Sequence, residues 1–103
     1  MDELTRIEVA DCLERLAEQS IWNPALWQRC YDLVQANWDN ELLKYVYDDV
    51  VHYSGAFNSR NIFGFRVKPN RHEIENYRYE FRAIAAAVRS EMTLAKAKAK
   101  YGL

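Results

Sequence analysis

Arg71, Arg78, Arg82, Arg89, Lys96 and Lys100 follow one another at steps of 7, 4, 7, 7 and 4 residues. At 3.6 residues per turn, that spacing collects all six within about 40° of a helical wheel. Among their neighbours three and four residues away, only Glu75 is acidic. A helix usually neutralises such a run with Glu–Lys or Glu–Arg pairs; this one does not do so within its own segment. Arginine's planar fork suits carboxylate and phosphate recognition. The stripe is therefore a candidate binding face for an acidic protein or for nucleic acid, or else the partner of the chain's own acidic half. A second candidate binding stretch precedes it, with Phe57, Arg60, Phe63, Phe65, Arg66 and Lys68 close together. Aromatics interleaved with bases can stack on nucleobases or anchor a protein interface.

Other chemistry is thinner. Asp48 and His52 stand four apart, so they are neighbours on one helix face. A carboxylate beside an imidazole can orient a general base or share a metal. A metal site needs further ligands, and only His72 and scattered carboxylates remain, so the pair is read as a surface pair. GxSxG, HExxH and Walker-type patterns do not occur. The Phe63-Gly64-Phe65 segment is too poor in glycine to cradle a phosphate. Cys12 and Cys30 form no CxxC and lie far from both histidines. They are expected as buried small side chains. A disulfide between them is geometrically possible but not expected in a reducing compartment. The sequence therefore predicts no catalytic residue, no metal and no cofactor.

Helical segments must position these residues. Over residues 3–20, Val9, Cys12, Leu13, Leu16 and Ala17 share one face, and Asp11, Glu14, Arg15 and Glu18 lie opposite. Leu4 and Ile7 fall off the apolar face. Asn23-Pro24 reads as a cap followed by a first-turn proline. The stripe Leu26, Trp27, Cys30, Tyr31, Leu33, Val34, Asn37 and Trp38 follows it. A third helix starts at Asp39 or Asn40 and carries Leu42, Leu43, Val46, Tyr47, Val50 and Tyr53, with Gly55 as its expected stop. Residues 55–70 lack a helical period. Phe63, Phe65 and Val67 alternate with Gly64, Arg66 and Lys68, a short strand signal inside an extended loop.

The fourth segment opens at Asn70 with Glu73 three residues on, a capping-box pattern. Ile74, Tyr77, Phe81, Ile84, Val88, Met92, Ala95 and Ala99 form its apolar stripe. Unbroken to Tyr101, it would be a rod of roughly 46 Å, long for so small a domain. Ser90 and Thr93 are the expected break points, because hydroxyl side chains can cap a fresh helix there. The final run Thr93–Leu103 resembles the first helix and turn of helix-turn-helix DNA-binding motifs over eleven residues. The base-reading helix such a motif requires does not follow, so Gly102 is read as a helix stop.

Composition agrees with a packed helical domain. The 103 residues are 50% hydrophobic and 14% aromatic, with three glycines and two prolines, which excludes disordered and low-complexity classes. No apolar run approaches the ~20 residues of a membrane span. The acidic start Met1-Asp2-Glu3 lacks the apolar stretch of a secretory signal, and a cytoplasmic location is expected. The net charge of −1 conceals −7 over residues 1–54 and +6 over residues 55–103. The expected fold is all-α: one domain over residues 1–103, a four-helix bundle with a long C-terminal helix and an irregular aromatic and basic loop before it. The expected function is a small non-catalytic interaction protein that binds a protein partner or a second copy. Nucleic-acid binding through the basic stripe is the alternative, and an enzyme or metal site at Asp48 and His52 a weaker one. No membrane partner is expected.

Overall fold

The computed structural model describes residues 1–58, 63–64 and 70–103. The described residues form five α-helices and no strand: α1 (Glu3–Glu18), α2 (Pro24–Ala36), α3 (Glu41–Asn58), α4 (Arg71–Arg89) and α5 (Leu94–Tyr101). Each start has a side-chain cap for the backbone N–H groups that the first turn leaves unpaired. Asp2 accepts from the Thr5 amide at 2.7 Å, Asn23 from Leu26 at 3.1 Å and Asn40 from Leu42 at 3.0 Å. Asn70 accepts from His72 at 3.0 Å and Glu73 at 3.2 Å, and Thr93 from Lys96 at 3.2 Å.

The first four helices form an up-and-down bundle. Cys30 on α2 meets Cys12 on α1, Trp27 and Tyr31 on α2 meet Val50 and Tyr47 on α3, and Tyr53 on α3 meets Tyr77 and Phe81 on α4. Arg78 and Arg89 on α4 then return to Gln19 and to Glu14 and Asp11 along α1, in reversed order. Val9, Leu13 and Leu16 from α1, Val34 from α2, Leu43, Val46 and Val50 from α3, and Phe81, Ile84 and Val88 from α4 fill the centre. No helix among the described residues is long and apolar enough to cross a membrane.

One boundary differs from the sequence pattern and another follows it. Gly55 does not stop α3, which continues to Asn58. Phe57 in that extra turn packs against Trp22 at 5.5 Å and Tyr53 at 5.8 Å. Burying an aromatic ring outweighs the ~1 kcal/mol that a helical glycine costs. Trp22 and Phe57, which the sequence leaves without a neighbour, are neighbours of each other. The last segment is two helices, broken between Ser90 and Thr93. The Ser90 hydroxyl donates to the Ala86 carbonyl at 3.0 Å, Glu91 takes φ of 53°, and Thr93 caps the new helix. The break folds α5 back, burying Ala97. It is tied down by the Leu94 amide donating to Glu41 at 2.8 Å and the Tyr79 hydroxyl donating to the Tyr101 carbonyl at 2.5 Å. The strand signal at residues 63–68 falls largely outside the described residues.

The seam between α3 and α4 holds a pair of carboxyl groups. Burial and a hydrogen bond with Asp49 push the Glu80 carboxyl up to about 8, against a bond from Tyr45 that favours its charge. A raised carboxyl keeps its proton in the fold while the unfolded chain releases it. Its stabilising contribution is complete below the ordinary Glu value of 4.5 and is lost as pH rises through about 8. Glu80→Gln supplies a permanently neutral side chain, so its melting temperature should gain on the parent's from about pH 5 to about pH 8 and level off above that. An unchanged difference between the two across that range contradicts a raised Glu80 carboxyl.

Candidate functional site

The basic stripe is built along the edge of α4 that faces α1. Arg89 donates from Nε and Nη2 to the two carboxylate oxygens of Glu14, each at 3.0 Å, and also pairs with Asp11. Those bonds, to Glu14 first and then Asp11, raise the guanidinium above its usual value. Arg6 pairs with Glu91 across the same edge. Arg89, which has no acid three or four residues away, thus finds a tertiary answer in Asp11 and Glu14 on α1. Lys96 and Lys100 belong to α5, beyond the break, and do not continue the α4 row. Lys100 lies over the ring of Tyr101 at 5.5 Å. The single six-residue stripe is corrected to four arginines on α4 and two lysines on a separate helix.

Arg78 has a different role. Its Nη2 donates to the Gln19 carbonyl at 2.8 Å, and its Nη1 to Glu75 at 2.7 Å. Gln19 follows the last turn of α1, where carbonyls lack intrahelical donors and attract cations. The Tyr53 hydroxyl serves the same helix end by donating to the Leu16 carbonyl at 3.4 Å. Burial works against the charge on Arg78, but hydrogen bonds to Tyr53 and Glu75 outweigh it and hold the group above its usual value.

Around this point the bundle opens into a cleft of about 620 Å³, lined by Glu18, Gln19, Ser20, Phe57, Arg71, Ile74, Glu75 and Arg78. It joins Phe57 from the aromatic stretch to Arg71 and Arg78 from the basic stripe, a juxtaposition the sequence does not reveal. Phe57 and Ile74 supply apolar walls, and Arg71 stands exposed at the rim. Two buried donors in its lining residues, Gln19 Nε2 and Arg78 Nε, have no acceptor. An unmade bond on a buried donor costs about 1–3 kcal/mol, and native structures leave few such groups. Gln19 is the residue sequence reading missed. Its position after the last apolar residue of the first segment was the only available signal.

Arg82 is exposed on α4. Phe63 is 77% exposed and Ile21, near the same end of the bundle, 81%. Arg60, Phe65, Arg66 and Lys68 lie outside the described residues. Asp48 and His52 are exposed on α3, and the described residues contain no group of three His, Cys, Asp or Glu side chains arranged for a metal.

Known proteins offer no match. No family model fits the chain, and neither a curated protein nor a solved structure is similar to it. The chemistry of the cleft therefore rests on its own residues: Arg71 exposed beside Glu18 and Glu75, Phe57 and Ile74 as apolar walls, and two buried donors in Gln19 and Arg78 without acceptors.

Arg89→Ala removes the pairs to Asp11 and Glu14. Because the site is partly exposed, the expected loss is about 0.5–1 kcal/mol, measured by urea denaturation. The loss should shrink when salt is raised, as screened surface pairs do. A larger loss that ignores salt would mean Arg89 acts through packing of its stem.

Proposed function

We propose that this chain is a small non-catalytic interaction protein that takes an acidic segment of a partner protein in the cleft between the ends of α1 and α3 and the start of α4. What supports the reading is the pair of buried acceptor-less donors, Gln19 Nε2 and Arg78 Nε, in residues that line a cleft with Arg71 exposed among its lining. A carboxylate of the partner supplies the acceptors after a small rotation of the Gln19 amide. An aromatic or aliphatic neighbour of that carboxylate packs on Phe57 and Ile74. Interfaces commonly combine such an apolar anchor with arginine. Nucleic acid fits less well, because Arg89 of the stripe is engaged by Glu14 and Asp11 and does not continue a free cationic row.

The test is fluorescence anisotropy with a labelled peptide of glutamates around one phenylalanine, beside a labelled DNA duplex. The peptide should bind, and Arg71→Glu should weaken it at least about tenfold, the equivalent of 1.4 kcal/mol. Arg71 opens α4, where an acidic residue suits the helix dipole, so the fold survives the change. Arg82→Glu, outside the cleft, should leave peptide affinity nearly unchanged. Equal effects of the two substitutions, or preference for the duplex with a steep salt dependence, would overturn the proposal.

A further inference from the structure

Cys12 and Cys30 face each other across the α1–α2 seam. The Cys30 thiol donates to the Cys12 carbonyl oxygen at 3.1 Å. Both are free. They differ in access. Cys30 is 1% exposed, whereas Cys12, at 5%, lines a separate cleft of about 300 Å³ with Glu8, Asp11, Arg15, Leu26 and Arg29. Arg29 reaches over this cleft and pairs with Glu8. A hydrogen bond with the Cys12 sulfur is the first cause raising the Arg29 guanidinium above its usual value. A cysteine that lines a cleft together with an arginine, and has a second thiol against its own backbone carbonyl, has the surroundings of an oxidisable cysteine with a resolving partner.

We propose that Cys12 and Cys30 are an oxidisable dithiol, in which a peroxide entering beneath Arg29 oxidises Cys12 and Cys30 then closes a disulfide joining α1 to α2. In the first step the Cys12 sulfur attacks one peroxide oxygen. The S–O bond forms, the O–O bond breaks, and the departing hydroxide leaves as water with the thiol proton. In the second step the Cys30 sulfur attacks the Cys12 sulfur. The S–S bond forms, the S–O bond breaks, and a second water leaves with the Cys30 proton. The two thiols are oxidised by two electrons and one peroxide is reduced to two waters. Burial and the neighbouring Cys12 push the Cys30 thiol far up, which keeps it protonated and assigns it the second step.

Hydrogen peroxide applied to the folded protein tests this by intact mass under non-reducing conditions. The expected product is a monomer lighter by two hydrogens, with a peptide map linking Cys12 to Cys30 and a higher melting temperature than the reduced form. Cys30→Ser should instead accumulate a sulfenic acid on Cys12, captured by dimedone, and Cys12→Ser should protect Cys30 from oxidation. The parent measurement needs no substitution, so a misfolded variant does not blunt the test. The proposal is overturned if both thiols stay reduced at peroxide levels that oxidise free cysteine. It is equally overturned if disulfides form only between molecules, or if Cys30 oxidises at the parent's rate in Cys12→Ser.

Discussion

The end of α1 must find donors for carbonyl groups that no further turn will satisfy, and it finds them on other helices. Tyr53 of α3 gives its hydroxyl to Leu16, and Arg78 of α4 gives its guanidinium to Gln19. These two bonds fix where three helices meet. Tyr53 is fully buried, and its ring lies 5.0–6.3 Å from Trp22, Phe57, Tyr77 and Phe81. A buried hydroxyl without a partner would be costly, so the position of this ring depends on the α1 terminus as much as the terminus depends on it. The cleft beside Arg78 follows from the same constraint: a guanidinium drawn toward the helix end keeps Nε buried and leaves it no acceptor.

Charge is organised on the same principle. Arg89 joins the basic half of the chain to acids of the acidic half. Arg6 with Glu91, Arg29 with Glu8, and Arg89 with Asp11 and Glu14 place opposite signs along the flanks of α1. Exposed pairs of this kind contribute little stability each. Their clearer effect is on register, because sliding α4 by one turn along α1 would separate Arg89 from both of its acids.

Much of the fold is legible in the sequence because its signals are local. Asn23-Pro24, Asn70 and Thr93 are caps whose chemistry needs no tertiary context, and the apolar stripes of α1 and α4 name most of their core residues. The signals that fail are those decided by distant neighbours. Gly55 reads as a stop until Trp22 and Tyr53 are known to receive Phe57. Whether the basic stripe binds a partner or meets the chain's own acidic half stays open in the sequence, and only the fold places Arg89 against Glu14 and Asp11 of α1. The cleft is the least legible part. Glu18, Phe57 and Arg78 are remote in sequence, and the unpaired state of Gln19 Nε2 depends on all the elements around it.

The aromatic rings have a collective property beyond packing. Trp38, Tyr47, Tyr31, Trp27 and Trp22 follow one another at centroid distances of 4.6–6.2 Å, and Trp22 leads on through Tyr53 and Phe57 to Tyr77 and Phe81. Light absorbed by any of these tyrosines lies within easy energy-transfer range of an indole. The intrinsic fluorescence of the chain is therefore the emission of one coupled array spanning α2, α3 and α4. Its colour and yield report the integrity of the whole wall, with no single chromophore acting as an independent local probe.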